Sequence, residues 1–268
     1  MIRLVHSLSR VAQHAAGLIL PHQCVLCRCF AESTGLCASC WGGLVPIGAP
    51  VCQQCGLPLG HTLAEPVCAA CWQAPPPLAM IRAALHYNDN SRQLILRFKH
   101  GDGLQLTPFL AAMVGRDFGM MAKAMANTIA DAAKNHTGMT DTGIPLVVPV
   151  PLHRQRYFLR RYNQSAELAR HLCHTTGTGR FTPGILIRHR PTASQGGLSR
   201  RQRHRNLAGA FAVDGRMRAH LEGRPVILID DVMTTGATLF AAAKCLTAAG
   251  SGPVSALVLA RVARPRAP

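Results

Sequence analysis

The segment Val226-Ile227-Leu228-Ile229-Asp230-Asp231-Val232-Met233-Thr234-Thr235-Gly236-Ala237-Thr238 joins four aliphatic residues to two adjacent acids and then to a run of small and hydroxyl-bearing residues. Four aliphatic residues in a row read as a strand buried on both faces, too short for an ordinary buried helix. Such a strand delivers Asp230 and Asp231 to its carboxyl end, and the residues from Val232 to Thr238 turn the chain into a helix. Backbone N–H groups and the helix dipole make that turn an anion site, to which Thr234, Thr235 and Thr238 add hydroxyl donors. Gly236 lets the backbone approach its ligand closely. Two acids cannot face the same anion without repulsion, so they accept hydrogen bonds from sugar hydroxyls or hold a hydrated Mg²⁺. A sugar bearing a phosphate satisfies both halves. Neither G-x-x-x-x-G-K-[ST] nor G-x-G-x-x-G occurs in the chain.

Two more short apolar runs, Leu146 to Val150 and Val254 to Ala260, share the aliphatic character of Val226 to Ile229. Helical patterns follow the first two of these three runs in chain order, at Gln164 to Cys173 and Ala237 to Ala249. Strands alternating with helices predict a parallel sheet with crossover helices, hence an α/β fold. Further upstream, Ile81 to Tyr87 reads as a strand and Asn90 to His100 as a helix with Leu94, Ile95 and Phe98 on its apolar face. Helix is also expected over Leu104 to Lys134. Pro75-Pro76-Pro77 reads as a stiff extended linker, which divides the 268 residues into a segment 1–76 and a segment 77–268.

Eight of the eleven cysteines fall as four C-x-x-C pairs: Cys24 and Cys27, Cys37 and Cys40, Cys52 and Cys55, Cys68 and Cys71. A tight turn of this kind points two sulfurs at one tetrahedral ion, and two turns complete a closed four-thiolate site. Two structural zinc ions follow, with no open position for a water nucleophile. Sequential and interleaved pairings both fit the spacing; Cys29, one residue beyond the first pair, reads as a spare that could replace Cys27 and is not counted among the ligands. Trp41 and Trp72 each follow a ligand pair and are expected to pack over the metal turns. Thiolate ligands in place of disulfides point to a reducing, cytoplasmic setting.

With 29 Lys and Arg against 12 Asp and Glu, the net charge of +17 draws phosphate-bearing partners, nucleic acid or a polyphosphate metabolite. The excess is local as well. No acid occurs between Leu168 and Val213, a stretch holding Arg188, Arg190, Arg200, Arg201, Arg203 and Arg205. The first twenty residues have two arginines but are interrupted by Gln13, His14 and Gly17, which predicts a short amphipathic helix against the cysteine module instead of a signal peptide. No apolar run is long enough to cross a bilayer, so no membrane insertion is expected.

The Val226–Thr238 segment resembles the phosphoribosyl pyrophosphate (PRPP) motif of type I phosphoribosyltransferases, with its hydrophobic strand, two acids and Thr-Thr-Gly loop. The resemblance implies that Asp230 and Asp231 bind the ribose hydroxyls and stabilise a cation-like transition state. It places Val232, Met233, Thr234, Thr235, Gly236, Ala237 and Thr238 on the 5′-phosphate. Four further segments, with the cysteine module, resemble the ComF family (competence protein ComF, or gluconate-periplasmic-like proteins), which combines a double zinc ribbon with a type I phosphoribosyltransferase domain. In Phe98-Lys99-His100-Gly101-Asp102, Lys99 matches a lysine on the pyrophosphate side. Val148 to His153 with Arg160-Arg161-Tyr162-Asn163-Gln164 matches a second segment, although Arg161 stands where the family has glycine. Arg160 is a ligand candidate there, and Asn163 a helix cap.

The third and fourth segments, Arg190 to Gln195 and Leu198 to Asn206, read as a basic loop, with Gln195, Arg203 and Asn206 matching the family. Such a loop either closes over bound PRPP and excludes water or remains a basic surface. The implied function is transfer of phosphoribosyl from Mg-bound PRPP, or a related phosphorylated pentose, with loss of pyrophosphate, linked to DNA uptake and natural competence. The alternative is a non-catalytic accessory binding single-stranded DNA through its arginines, with the PRPP site a sensor or relic. The acceptor and the oligomeric state are left open.

Overall fold

A computed structural model describes residues 22–32, 35–62, 64–100, 103–133, 144–153, 157, 161–190 and 200–262, with backbone alone for 128–133, 200, 201, 203 and 204. The expected amphipathic helix in the first twenty residues lies outside these. Strands β1 (Met80–His86), β2 (Leu146–Pro149), β3 (Arg180–Phe181), β6 (Val226–Met233) and β7 (Val254–Arg261) form one five-stranded sheet in the order β1-β7-β6-β2-β3. Every pairing in it is parallel. A separate antiparallel hairpin joins β4 (Leu186–Arg188) to β5 (Phe211–Val213). The fold is α/β, behind a cysteine-rich zinc-ribbon module.

The aliphatic runs are buried on both faces because alternate side chains enter different cores. Ile227 and Ile229 of β6 pack with Leu94, Phe98 and Leu168 on one side, while Val226 and Leu228 pack with Leu207, Leu239 and Leu246 on the other. The first layer holds α3 (Asp89–Lys99), α4 (Thr107–Ala133) and α5 (Gln164–Thr176); the second holds α7 (Ala237–Ala248) and α6 (Arg200–Leu207). α3 starts at a reciprocal cap: Asn88 Oδ1 accepts from Ser91 N at 2.9 Å, and Asn88 N donates to Ser91 Oγ at 2.8 Å. A 3₁₀ turn, Gly103–Leu106, precedes α4 where the sequence predicted continuous helix from Leu104. Among the described residues, no helix is long and apolar enough to cross a membrane.

β1 lies at the sheet edge, and the N-terminal module covers it. Ile81 N donates to Gln54 O, Ile47 N to Ala84 O and His86 N to Val45 O, each at 2.8 Å. Backbone groups that an open edge would offer to another chain are thereby paired internally. Arg82 Nη1 locks the seam, donating to Gln53 O at 2.9 Å and Ile81 O at 2.8 Å, and the Arg261 guanidinium at the end of β7 reaches Cys55 O. Gly56 permits the close approach: at φ +66°, a Cβ there would lie 2.5 Å from Ile81 O. Arg82→Ala should lower the unfolding free energy by about 1–3 kcal/mol, because the carbonyls it leaves are partly desolvated; urea denaturation monitored by circular dichroism measures this, with no change expected if the seam is solvent-bridged.

Candidate functional site

The sheet order creates a crevice. β2 is followed by α5 on one face, and its neighbour β6 by α7 on the other, so the two chains diverge at the carboxyl ends of adjacent parallel strands, where α/β folds bind ligands. Asp230 and Asp231 sit at that place. β6 runs on to Met233, so the acids belong to the strand instead of following it. Consecutive strand residues point to opposite faces, and each acid has its own partner. Asp231 Oδ2 is 2.8 Å from Lys99 Nζ, with both side chains less than a fifth exposed. Asp230 Oδ1 accepts from Asp231 N at 2.9 Å and from Ser165 Oγ at 3.3 Å.

Burial, and then the neighbouring charge of Asp231, push the Asp230 carboxyl up to about 7 from an ordinary 3.8; the Asp231 N–H, Lys99 and Ser165 pull the other way without prevailing. A donor or cation that enters the crevice favours the ionised form of this carboxyl.

The start of α5 braces the site. Tyr162 Oη donates to Phe98 O, Gln164 Nε2 to Lys99 O at 3.3 Å, and Asn163 Nδ2 to Val150 O at 3.1 Å. With Ser165 on Asp230, four consecutive side chains hold the end of α3, the end of β2 and the acid pair. Asn163 also caps α5, its Oδ1 accepting from Ser165 N at 3.1 Å, as the sequence predicted. Sequence reasoning did not find Tyr162, Gln164 or Ser165 as positioning groups; their signal is an unbroken polar run at a helix start. Arg161 takes φ +66°, so the glycine-type angle persists with an arginine, at a cost of about 1–2 kcal/mol.

The residues after β6 turn into helix α7. Gly236 is the N-terminal cap of α7 at φ +78° and brings no capping side chain; a Cβ there would lie 2.7 Å from Phe240 Cζ. Thr235 Oγ1 accepts from Ala237 N at 3.4 Å, Thr234 is exposed, and Val232, Thr235 and Thr238 are half-buried at the mouth. The turn, Asp230, Asp231 and Lys99 are therefore brought together. Arg160 and Gln195 lie outside the described residues, as does 191–199, which holds most of the third motif. The reading of Leu198 to Asn206 as loop is corrected: Arg200–Leu207 is helix α6, because Leu207 is fully buried against α7 in the second core. Arg203 and Asn206 lie on this helix, where Asn206 O accepts from Arg190 Nη2 at 2.9 Å.

The cysteines form two clusters with sequential pairing, Cys24/Cys27/Cys37/Cys40 and Cys52/Cys55/Cys68/Cys71, the sulfurs of each within 4.8 Å of one another. Four thiolates on tetrahedral zinc at 2.3 Å stand about 3.8 Å apart; Cys27 and Cys37 sulfurs are 3.5 Å apart, and those of Cys55 and Cys68 are 3.8 Å apart. Cys29 is not in the cluster. Burial opposes the Cys24 thiolate, yet backbone hydrogen bonds from Cys27, Cys37 and Leu26 outweigh it and hold the thiol at about 6; Cys40 is pushed up to about 12 by burial and its sulfur neighbours. Without a cation the four thiols cannot all ionise, and zinc, which needs all four, fits. The two ribbons repeat bond for bond. Cys24 N donates to Cys29 O as Cys52 N does to Leu57 O, and Arg28 N to Cys24 O as Gly56 N does to Cys52 O, all at 2.8 Å. Short helices α1 (Ala38–Gly42) and α2 (Ala69–Gln73) carry the second pairs. Trp41 meets the Phe109 ring edge-on at 5.7 Å, whereas Trp72 is 73% exposed.

Residues 15–72 match the model of the Double zinc ribbon domain. The chain is 30% identical over 249 residues to DNA utilization protein YhgH of Salmonella typhi, spanning 91% of this chain and 99% of that protein. Competence protein F of Haemophilus influenzae is 28% identical over 241 residues, spanning 89% and 96%. The chain belongs to the ComF family. Competence protein ComFC of Bacillus subtilis, at 28% over 234 residues and 84% of either chain, is a more distant ComF relative. Among solved structures, a Trypanosoma cruzi hypoxanthine phosphoribosyl transferase overlaps 57% of this chain and 70% of its own at 22% identity and a TM-score of 0.27.

In this ComF chain the buried acid ties stability to pH. A carboxyl whose folded pKa lies above its unfolded value favours the fold fully below about 3.8, and that contribution is lost as pH rises through about 7. Asp230→Asn should therefore match the wild type in the unfolding free energy from urea titration near pH 4 and exceed it at pH 8, by on the order of a few kcal/mol. Parallel pH profiles for the two proteins would contradict this.

Proposed function

We propose that the chain binds PRPP with Mg²⁺ in the crevice between β2 and β6 and transfers its phosphoribosyl group, releasing pyrophosphate. The supporting observation is a strand-end acid pair beside a helix-start turn with a glycine cap. The turn takes the 5′-phosphate on first-turn amides and threonine hydroxyls. Asp230 and Asp231 accept the ribose hydroxyls and, as the bond from carbon 1 to the pyrophosphate oxygen breaks, offset the positive charge on the sugar. Ribose hydroxyls on Asp231 free Lys99 to neutralise the departing pyrophosphate. The nucleophilic atom of the acceptor then bonds to carbon 1 and gives up its proton to solvent or a base. Mg²⁺ enters with PRPP and shields its phosphate charge. Relatives named for competence and DNA utilization support a role in handling incoming DNA in the cytoplasm, with segment 1–76 as the zinc module and 77–268 as the transferase-like domain.

PRPP with Mg²⁺ should raise the melting temperature by several degrees at ligand concentrations well above Kd. The double variant Asp230→Asn/Asp231→Asn should lose that shift, and an equal shift in the double variant would defeat the reading.

A second reading, single-stranded DNA binding, is favoured by helix α6, whose Arg200, Arg201, Arg203, His204 and Arg205 put five cationic or titratable residues on eight positions. Affinity for an oligothymidylate should fall steeply with salt. Replacing the four arginines with alanine should flatten the salt slope; an unaltered slope removes α6 from the interface.

A further inference from the structure

The duplicated ribbons differ at one backbone position in a way that stability does not explain. In the second ribbon, the residue after the knuckle is Gly56, in the left-handed region and pressed onto β1. Its counterpart is Arg28, at φ +63° and making the same hydrogen bond to the first cysteine of its pair. A non-glycine residue there costs about 1–2 kcal/mol, and such strain points to a job for the side chain.

Arg28 lines a cleft of about 570 Å³ between the first ribbon and the end of α3, where Arg97 and His100 form the opposite wall and Gln23 and Gln105 add polar groups. Among the described residues that line it, none is acidic. Among the described residues, Arg28 has no ion pair, while Arg97 Nη2 is steadied by Leu26 O at 3.3 Å. Guanidinium groups facing each other from two walls recognise an anion with several oxygens. α3 ends with its neighbouring residues committed to different sites: Lys99 to Asp231, Arg97 and His100 to this cleft. Phe30, bridged to Gln23 and 68% exposed, offers a ring beside it on which a base can stack.

We propose that this cleft is a second, ribbon-borne phosphate site, which holds a phosphate of a nucleic-acid strand or a free phosphate next to the PRPP crevice. The proposal is independent of PRPP turnover. Its test is Arg28→Gly, which copies the second ribbon and removes strain, so the variant should be at least as stable as the wild type and keep its zinc and its PRPP-induced melting shift. Fluorescence anisotropy with a labelled oligothymidylate should show binding weakened about three- to ten-fold at low salt, with the slope of log K against log salt smaller by about 0.7, the loss of one phosphate contact. Titration with inorganic pyrophosphate forms the second arm. Weakened oligonucleotide binding that Phe30→Ala also reduces assigns the site to a strand, and weakened pyrophosphate binding alone assigns it to free phosphate. Unchanged affinity of Arg28→Gly for both probes overturns the proposal, also where the α6 variant has lost DNA binding. A wild type without a PRPP shift would sink the transferase reading and leave this one standing.

Discussion

Two adjacent carboxylates at the end of a strand buried inside a parallel sheet are an electrostatic liability, and much of the surrounding structure serves to contain it. Full ionisation of both would leave two negative charges in a poorly solvated crevice. Lys99 offsets the charge of Asp231 at 2.8 Å, while burial and the charge next door push the Asp230 carboxyl upward to about 7, which disfavours its ionisation. The lysine comes from α3, which reaches the crevice because the long crossover from β1 to β2 passes over β7 and β6 on that face. Its placement depends on α5, whose first residues hold the carbonyls of Phe98 and Lys99. The acid pair, its counter-ion and its brace thus come from three separate elements, a unit that a bound sugar with cations of its own would complete.

The same logic separates the two ribbons. The second is built into the sheet: Gln54 pairs with β1, Arg82 and Arg261 bind carbonyls of its knuckle, and Gly56 permits the contact. Zinc there closes the edge of the sheet as well as its own loop. The first ribbon is tied to α3 and its cap instead, by Arg97 to Leu26 O, Asn90 Nδ2 to Cys40 O at 3.4 Å and Asn88 Nδ2 to Gly43 O at 3.0 Å, and it presents Arg28 and Phe30 outward. One repeat is structural; its copy keeps the hydrogen bonds and changes the surface.

Much of this was legible in the sequence. Strand and helix positions followed from aliphatic runs and their spacing, the zinc ligands from four C-x-x-C pairs, and the crevice from the acids and the Thr-Thr-Gly turn, since each is a local pattern with a local physical cause. What escaped was long-range. The Lys99–Asp231 pair joins residues far apart in the chain, and the brace uses Tyr162, Gln164 and Ser165, whose polar side chains at a helix start read equally well as caps. α6 reads as loop in the sequence because its arginines lack a helical apolar face; among its described side chains, Leu207 at the last position is the buried one. The shared edge of β1 was hidden for a related reason, because Pro75 to Pro77 marks a linker in sequence while the segment before it returns to pair with the strand.

Net charge misleads in the same way unless each arginine is placed. Arg188, Arg224 and Arg261 are buried, at 8%, 7% and 5% exposure, and work inside the fold: Arg188 lies over the Phe211 ring at 5.6 Å, Arg224 holds Ile144 O at 2.8 Å, and Arg261 ties β7 to the second knuckle. Arg28 and Arg161 differ: they are the two non-glycine residues at positive φ among those described, and both are exposed. Each is held by a backbone hydrogen bond, Arg28 N to Cys24 O and Arg161 N to Tyr157 O at 2.8 Å, so the turn sets the angle and the side chain, which does not favour it, is turned outward. Both flank the crevice system, Arg161 just before the brace and Arg28 across from α3. The basic character of this chain is therefore divided by geometry: part of it works inside the fold, and Arg28 and Arg161 carry theirs at exposed left-handed positions.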